Sequence, residues 1–512
     1  MRLGISTAIL GALTGCAFVV NGKTDDTNNL SIKTTSGTYT GLVNSSLPNV
    51  IQWLGIQFGR PPVGNLRFMP PQRAVDPGSG TLSAQSYKPI CMQDNGNKTG
   101  VFWEIVPEFQ NTDQQSEDCL YLNIWGPSKA IAAKKEELLP VIVWVCGGSF
   151  KEGGGHAPYQ VPDHWIQRTQ THLVVTLNYR LNIFGFPGTE LARTNVGILD
   201  VRLAVEWLRD NVAGFGGDPE RMVLYGQSAG GGVVLSYTYA FPTDPIVSGF
   251  IASSAGAGAI NPNDTNPAFS RMAQNVGCAN LTATEELACM QQVDAVKLRD
   301  AVVAASLDMS QGFRPIVDGV TQFVNLTERL EKGLVADRPL IAGFTYNEVA
   351  AFEPLNARNE SLPLGSNQTF LPRALSCGTK QQATARARFG LTTYSYMYAG
   401  NFSNVTPLPQ LGGMHSSDLP IVFGTHFLFR GNSTELEWQT SFAMESFWVT
   451  FAANSSADPR DHMGTVWPKY IPPSDADNES GKIIVFGNST GPSGSYVSPV
   501  ELADNYSGPC EV

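Results

Sequence analysis

The chain has 512 residues, 42% hydrophobic and 15% charged, with a formal net charge of −11. This is ample apolar material for a packed core, no low-complexity tract marks disorder, and the acidic balance argues against nucleic acid as a partner. Length alone leaves open one large domain with loop insertions or more than one smaller unit.

Met1 and Arg2 precede an apolar run over residues 3–20, the pattern of a secretory signal peptide removed near residue 20. The run is short for a membrane anchor and nothing later resembles a spanning segment, so no stable membrane insertion is expected. Leu13-Thr14-Gly15-Cys16 also has the form of a bacterial lipoprotein box. Against that stand about fifteen Asn-x-Ser/Thr sequons, among them Asn44, Asn97, Asn263, Asn325, Asn404 and Asn454, which favour a glycosylated, secreted or cell-surface eukaryotic product. Residues 21–512 are expected to form one domain, because no repeat and no Pro/Gly/Ser-rich linker divides them.

Continuous apolar runs at 139–145 and 173–177 suit strands buried on both faces. Helical spacing of Leu203, Ala204, Trp207 and Leu208 predicts a helix over 201–212. A Gly-Gly-Asp-Pro turn at 216–219 then leads into a strand at 222–225, and an apolar stretch at 231–237 reads as a helix despite its glycines. Strands alternating with helices imply a mostly parallel sheet covered on both sides. The loops between them read as insertions that shape a pocket.

With Cys16 lost in the signal segment, seven of the eight cysteines remain and one must stay unpaired. Cys146, at the end of a buried run, is read as the free one. The others are grouped as Cys91 with Cys119, Cys278 with Cys289 and Cys377 with Cys510, a connectivity that spacing does not fix; an oxidising compartment makes disulfides the default.

The strongest local signal is Gly226-Gln227-Ser228-Ala229-Gly230, set between a predicted strand and a predicted helix. A sharp turn there lifts a serine hydroxyl above the sheet and turns the Ala229 N–H toward the place where an oxyanion would form. Cys146-Gly147-Gly148-Ser149-Phe150 follows a buried strand directly, so its amides are candidates for the rest of an oxyanion hole. In the chain order Ser, Asp/Glu, His, only His415, His426 and His462 follow Ser228. His415 comes just after Gly412-Gly413, on a segment able to return over the sheet. His426 reads as a core histidine and His462 as a solvated one. Glu348, beyond the apolar run 340–342, and Asp318 compete for the acid.

Several motifs together resemble the type-B carboxylesterase and cholinesterase family, over nearly the whole mature chain. They are Pro61-Pro62-Val63-Gly64 with Arg67-Phe68, Ser116-Glu117-Asp118-Cys119-Leu120-Tyr121-Leu122-Asn123-Ile124, Asn178-Tyr179-Arg180 with Phe184-Gly185-Phe186, and Asn195-Val196-Gly197-Ile198-Leu199-Asp200. Phe215-Gly216-Gly217-Asp218-Pro219, Gly226 to Gly230, Thr345 to Glu348 and His415 to Asp418 follow in the same order.

The resemblance implies an α/β-hydrolase fold, with a central, mostly parallel sheet flanked by helices and carrying loop insertions. It also implies serine ester hydrolysis without metal or organic cofactor. Ser228 falls on the nucleophile, His415 on the base and Glu348 on the acid, with Asp318 in a motif outside the triad. Gly148, Ser149 and Ala229 fall on the oxyanion hole, Ser254 on a second buried serine supporting acid and histidine, Gln227 beside the nucleophile, and Arg67 with Glu117 on a structural ion pair. The Cys91–Cys119 disulfide would close a small loop at the gorge mouth.

This chain departs from the family in that Cys146 precedes the glycines and Ser149 replaces the third one, which is strained if that position needs positive φ. The expected substrates are small to medium soluble esters. A triglyceride or sterol-ester lipase, and a binding protein that has lost catalysis, are the competing readings. Choline esters are expected to be poor substrates. Phe109 stands where cholinesterases carry a tryptophan ten residues before the loop-closing cysteine, Gln227 replaces a glutamate, and only Trp103 is nearby to compensate.

Overall fold

The computed structural model describes residues 30–501 except 79, 95–98, 133, 190, 193–194, 256–267, 307–311, 353–369, 473–481 and 489–494. The expected signal peptide, Cys510, and the sequons at Asn97 and Asn263 lie outside the described residues.

Eleven strands form the main sheet: β1 (Leu42–Val43), β2 (Val50–Gln57), β3 (Tyr121–Pro127), β4 (Leu139–Val145), β5 (Leu173–Leu177), β6 (Gly217–Gln227), β7 (Gly249–Ser253), β8 (Leu340–Thr345), β9 (Thr393–Tyr398), β10 (Lys482–Asn488) and β11 (Ser495–Glu501). Their order across the sheet is β11-β10-β9-β8-β7-β6-β4-β5-β3-β2-β1. All pairings from β5 to β10 are parallel, and the strands at both edges are antiparallel. Buried on both faces, the central strands can be continuously apolar, which is why β4 and β5 were legible as runs of Val, Ile and Leu.

Two boundaries differ from expectation. Strand β6 begins at Gly217, inside the anticipated Gly-Gly-Asp-Pro turn, because Gly217 pairs with Leu139 before an irregularity shifts the register at Met222. The helix read at 201–212 is α1 (Val196–Asn211), starting a turn and a half earlier. Its first turn contains Gly197, whose absent side chain lets the Arg180 carbonyl approach to where a Cβ would lie 2.5 Å away. The glycine-rich stretch after Ser228 is indeed helical, as α2 (Ala229–Ala240).

Two more helices flank the sheet, α3 (Phe370–Arg388) and α4 (Glu435–Ala453). The start of α4 is fixed by a reciprocal cap in which Thr434 Oγ1 accepts from Glu437 N and a Glu437 carboxylate oxygen accepts from Thr434 N. Its Phe447, Trp448 and Phe451 are fully buried, with Trp448 edge-on to Tyr225 of β6 and Tyr396 of β9.

The Cys91–Cys119 and Cys278–Cys289 disulfides are present and Cys146 is free and buried. Cys377 is also disulfide-bonded. The Arg67–Glu117 pair is bidentate at 2.6 Å on both arms, and Arg67 Nη1 donates to the carbonyls of Met290 and Val293, tying the Cys278–Cys289 region to the loop ahead of Cys119. Among the sequons, Asn404 is buried and its amide donates to His426 O at 2.9 Å and Ser433 Oγ at 3.0 Å, which leaves no space for a glycan in the folded protein. Asn325 and Asn454 are exposed. Among the described residues no helix is long and apolar enough to cross a membrane.

Candidate active site

The carboxyl ends of the parallel strands converge on Ser228. Strand β6 stops at Gln227, Ser228 takes φ 57° and ψ −124°, and α2 begins at Ala229. That backbone is costly for a residue with a side chain, and the surroundings hold it there. Ser228 N donates to Ser253 O at 2.8 Å, at the end of β7. The glycines of the motif are needed for packing: a Cβ on Gly226 would lie 2.4 Å from Gly230 O, and one on Gly230 2.1 Å from Val145 O. The turn is thereby pressed against the end of β4, where the glycine loop starts. Ala229, as the first residue of α2, has an N–H without an intrahelical acceptor, at the positive end of the helix.

In the glycine loop Gly148 has φ 116°, and a Cβ there would lie 2.0 Å from Glu152 O. Gly148 O receives the amides of Lys151 and Glu152, which closes the turn. Ser149 and Phe150 both have positive φ, 55° and 60°, so the anticipated strain at Ser149 is present. The loop is anchored from outside. Tyr179 Oη donates to Cys146 O at 3.0 Å, Gly155 N to Asn178 Oδ1 at 2.9 Å, and Gly153 N to Gln93 Oε1 at 2.9 Å. The neighbouring Arg180 is locked on Asp200 by three hydrogen bonds of 2.7–2.9 Å, with both side chains buried.

Glu348 and His415 arrive on two loops that pair with each other. Asn347 N donates to Gly413 O at 2.8 Å, and Asn347 Nδ2 donates to Leu411 O at 3.1 Å. Gly412 and Gly413 permit the bend that aims His415, with φ 54° at Gly412 and Gly413 close to Tyr398 O. Glu348 Oε1 accepts from Thr345 N at 2.8 Å, and Oε2 is bonded to His415 Nδ1. Both side chains are buried, so this is a desolvated charge-assisted pair. On the other side of the ring, His415 Nε2 lies 3.1 Å from Gln227 Nε2, the residue adjoining Ser228. Ser228 Oγ itself makes no hydrogen bond among the described residues; such bonds often form only with substrate in place.

The remaining candidates separate cleanly. Asp318 is remote from His415, with its carboxylate accepting from the amides of Asn195, Val320, Thr321 and Gln322. His426 is in the core against Ser433 and Trp438, and His462 is exposed beside Gln439. Ser254, just past the end of β7, is fully buried, but its hydroxyl bonds to neither Glu348 nor His415; its backbone N–H donates to Gly343 O instead.

Two features escaped the sequence reading. The Phe352 ring lies 5.0 Å from the His415 ring and 6.1 Å from Phe102, giving the site an aromatic wall. Its only sequence signal is its position four residues after Glu348. Asp418, three residues after His415, is fully buried with Tyr396 Oη donating to it at 3.0 Å; burial, assisted by the nearby Glu348 carboxylate, pushes it up to about 6.

Sheet, turn and loops define a protein of the α/β-hydrolase fold. A profile described as the carboxylesterase family matches residues 28–374 and 373–486. The chain is 40% identical over 480 residues to a chlorogenic acid esterase of Aspergillus niger, covering 90% of this chain and 93% of the relative. It is 37% identical over 471 residues to secreted lipase 5 of Gibberella zeae, with 85% and 87% covered, and 28% identical over 531 residues to an acetylcholinesterase of Bungarus fasciatus, with 90% and 84% covered. The chain belongs to the carboxylesterase family and is a carboxylic ester hydrolase.

Proposed function

We infer that this is a secreted serine esterase in which Ser228, His415 and Glu348 hydrolyse small to medium soluble esters through an acyl-enzyme. The observation that carries the reading is the buried Glu348–His415 pair, whose other ring nitrogen lies against Gln227, the residue next to Ser228 on the strained turn. His415 takes the Ser228 proton as Oγ attacks the ester carbonyl, and Glu348 holds the tautomer that leaves Nε2 free to do so. The tetrahedral oxygen is received by the amides of Gly148, Ser149 and Ala229. His415 then returns the proton to the departing alcohol, and water repeats the sequence on the acyl-enzyme.

The relative named chlorogenic acid esterase makes chlorogenic acid a substrate to test, and the aromatic wall of Phe102 and Phe352 suits an aromatic acid or alcohol group. The lipase relative favours the alternative of emulsified lipid. A panel of p-nitrophenyl esters of rising acyl length, chlorogenic acid and a triglyceride emulsion decides between them. A jump in rate as substrate passes its solubility limit would favour the lipase.

Ser149→Gly is expected to relieve about 1–2 kcal/mol of backbone strain, offset by about 0.5–1 kcal/mol of glycine entropy, so the thermal midpoint should change little. Because the N–H is kept, acetyl ester turnover should stay well short of the roughly 100-fold loss seen when an oxyanion donor is removed. Bulkier acyl groups should gain relative to acetyl, since the hydroxymethyl group no longer narrows the site. A collapse in acetyl ester turnover would show that the Ser149 side chain has a role of its own.

Choline esters are expected to be poor substrates. Phe109 is buried against Phe102 and Tyr159, at ring distances of 5.6 and 4.8 Å, and Gln227 brings no charge. Butyrylcholine should show no advantage in kcat/KM over its uncharged isostere 3,3-dimethylbutyl butyrate. A clear preference for the cation would overturn this.

A further inference from the structure

Gln227 is 2% exposed, and its carboxamide faces both halves of the site. Its Nε2 is 3.1 Å from His415 Nε2, and its Oε1 turns toward the glycine loop, where a Cβ on Gly147 would lie 3.0 Å from it. The opposite ring nitrogen, His415 Nδ1, is bonded to the Glu348 carboxylate. An ionised carboxylate only accepts, so Nδ1 carries the hydrogen of the neutral ring and Nε2 presents a lone pair. The carboxamide N–H is the group that fills it.

A competition follows, because the Ser228 hydroxyl must donate to that same lone pair before it can attack. We propose that Gln227 is a positioning residue for His415: its N–H holds the neutral ring in place in the resting site, and the Ser228 hydroxyl displaces it when an ester arrives. The inference rests on the reading of His415 as the base. In the reaction the Ser228 O–H bond breaks as the His415 Nε2–H and Ser228 Oγ–carbon bonds form, and the carbonyl π pair moves to the oxyanion. The ring has then become a donor at Nε2. A half-turn of the carboxamide presents Oε1 to it, so one neutral side chain serves both protonation states without exchanging a proton itself.

Among the described residues the charged groups near the ring are Glu348 on Nδ1 and Asp418 three residues on, the latter held by Tyr396; the Phe352 ring lies 5.0 Å from the His415 ring and carries no charge. A glutamate at 227 would only accept, and so would favour the protonated ring. A methionine of similar length would do neither.

The experiment is the pH dependence of kcat/KM for p-nitrophenyl acetate in the full-length wild type, Gln227→Glu and Gln227→Met, each normalised by phosphonate titration of active sites. Gln227→Glu is expected to move the acidic limb upward by about one pH unit. Gln227→Met should move it by less, since the neutral ring loses its donor and the protonated ring its acceptor, and should lower kcat more than it raises KM. Should the methionine variant not fold, Gln227→Asn, too short to reach His415, is expected to behave as it would. Superposed acidic limbs, or an effect confined to KM, would overturn the proposal. A fully active His415→Ala would instead sink the assignment of the base, so the two failures are distinguishable.

Discussion

Replacing Ser228 by alanine is expected to lower kcat for p-nitrophenyl esters by about 10⁴- to 10⁶-fold while leaving the fold intact, as is seen when a residue acting as one unit with others is removed. Ser228 stands on the strained turn between β6 and α2. His415→Ala should cost a similar amount and Glu348→Gln somewhat less, and the double variants should be no worse than Ser228→Ala alone. Folding is checked by the urea midpoint, and covalent capture by a fluorophosphonate should vanish in Ser228→Ala. A folded Ser228→Ala enzyme that hydrolyses esters at the parent rate would refute the assignment.

The largest loss of stability is expected from Asp200→Asn. Arg180 and Asp200 are 3% and 0% exposed in their side chains, and the aspartate accepts from Arg180 Nε, Nη2 and the backbone N–H. Removing one charge leaves the other buried without its counterion, a change that costs about 3–5 kcal/mol. The urea midpoint should fall accordingly. The double variant Arg180→Met/Asp200→Leu should recover part of the loss, because an apolar pair needs no desolvated counterion. Since Asn178 and Tyr179, the two residues before Arg180, tether the glycine loop, Asp200→Asn should also lower activity below its unfolding range. An unchanged midpoint would show that Arg180 finds another partner at no cost.

The parts legible in the sequence are those that obey a local rule. Continuous apolar runs gave β4 and β5, and the strand-turn-helix context of Ser228 located the sharp turn. The order of acid and histidine after the serine left few residues to weigh, and the family motifs separated Glu348 from Asp318. What was not legible depends on residues distant in the chain. Phe102, Phe352 and His415 meet only because two loops fold over the sheet, and no periodicity marks such a meeting. The contact of Gln227 with His415 requires the carboxamide to leave the strand on the side of the returning loop. The start of β6 at Gly217 was hidden because the turn chemistry of Gly-Gly-Asp-Pro competes locally with a pairing to Leu139 that only the assembled sheet provides. Ser254 shows the limit of transferred roles, since its buried hydroxyl bonds to neither Glu348 nor His415.

Cys146 sits where β4 meets the glycine loop, fully enclosed, and burial pushes its thiol up to about 12. In the closed molecule it has neither the ionisation nor the access that a disulfide reagent requires. Its sulfur is packed so that a Cβ on Gly153 would lie 3.2 Å away, so a reagent reaches it only when the loop lifts from the strand end. The speed of thiol labelling under native conditions therefore counts the openings of the loop beside Ser228. The enzyme thus has a built-in clock for the breathing of its own reaction chamber, and an acyl group parked on the serine should slow it.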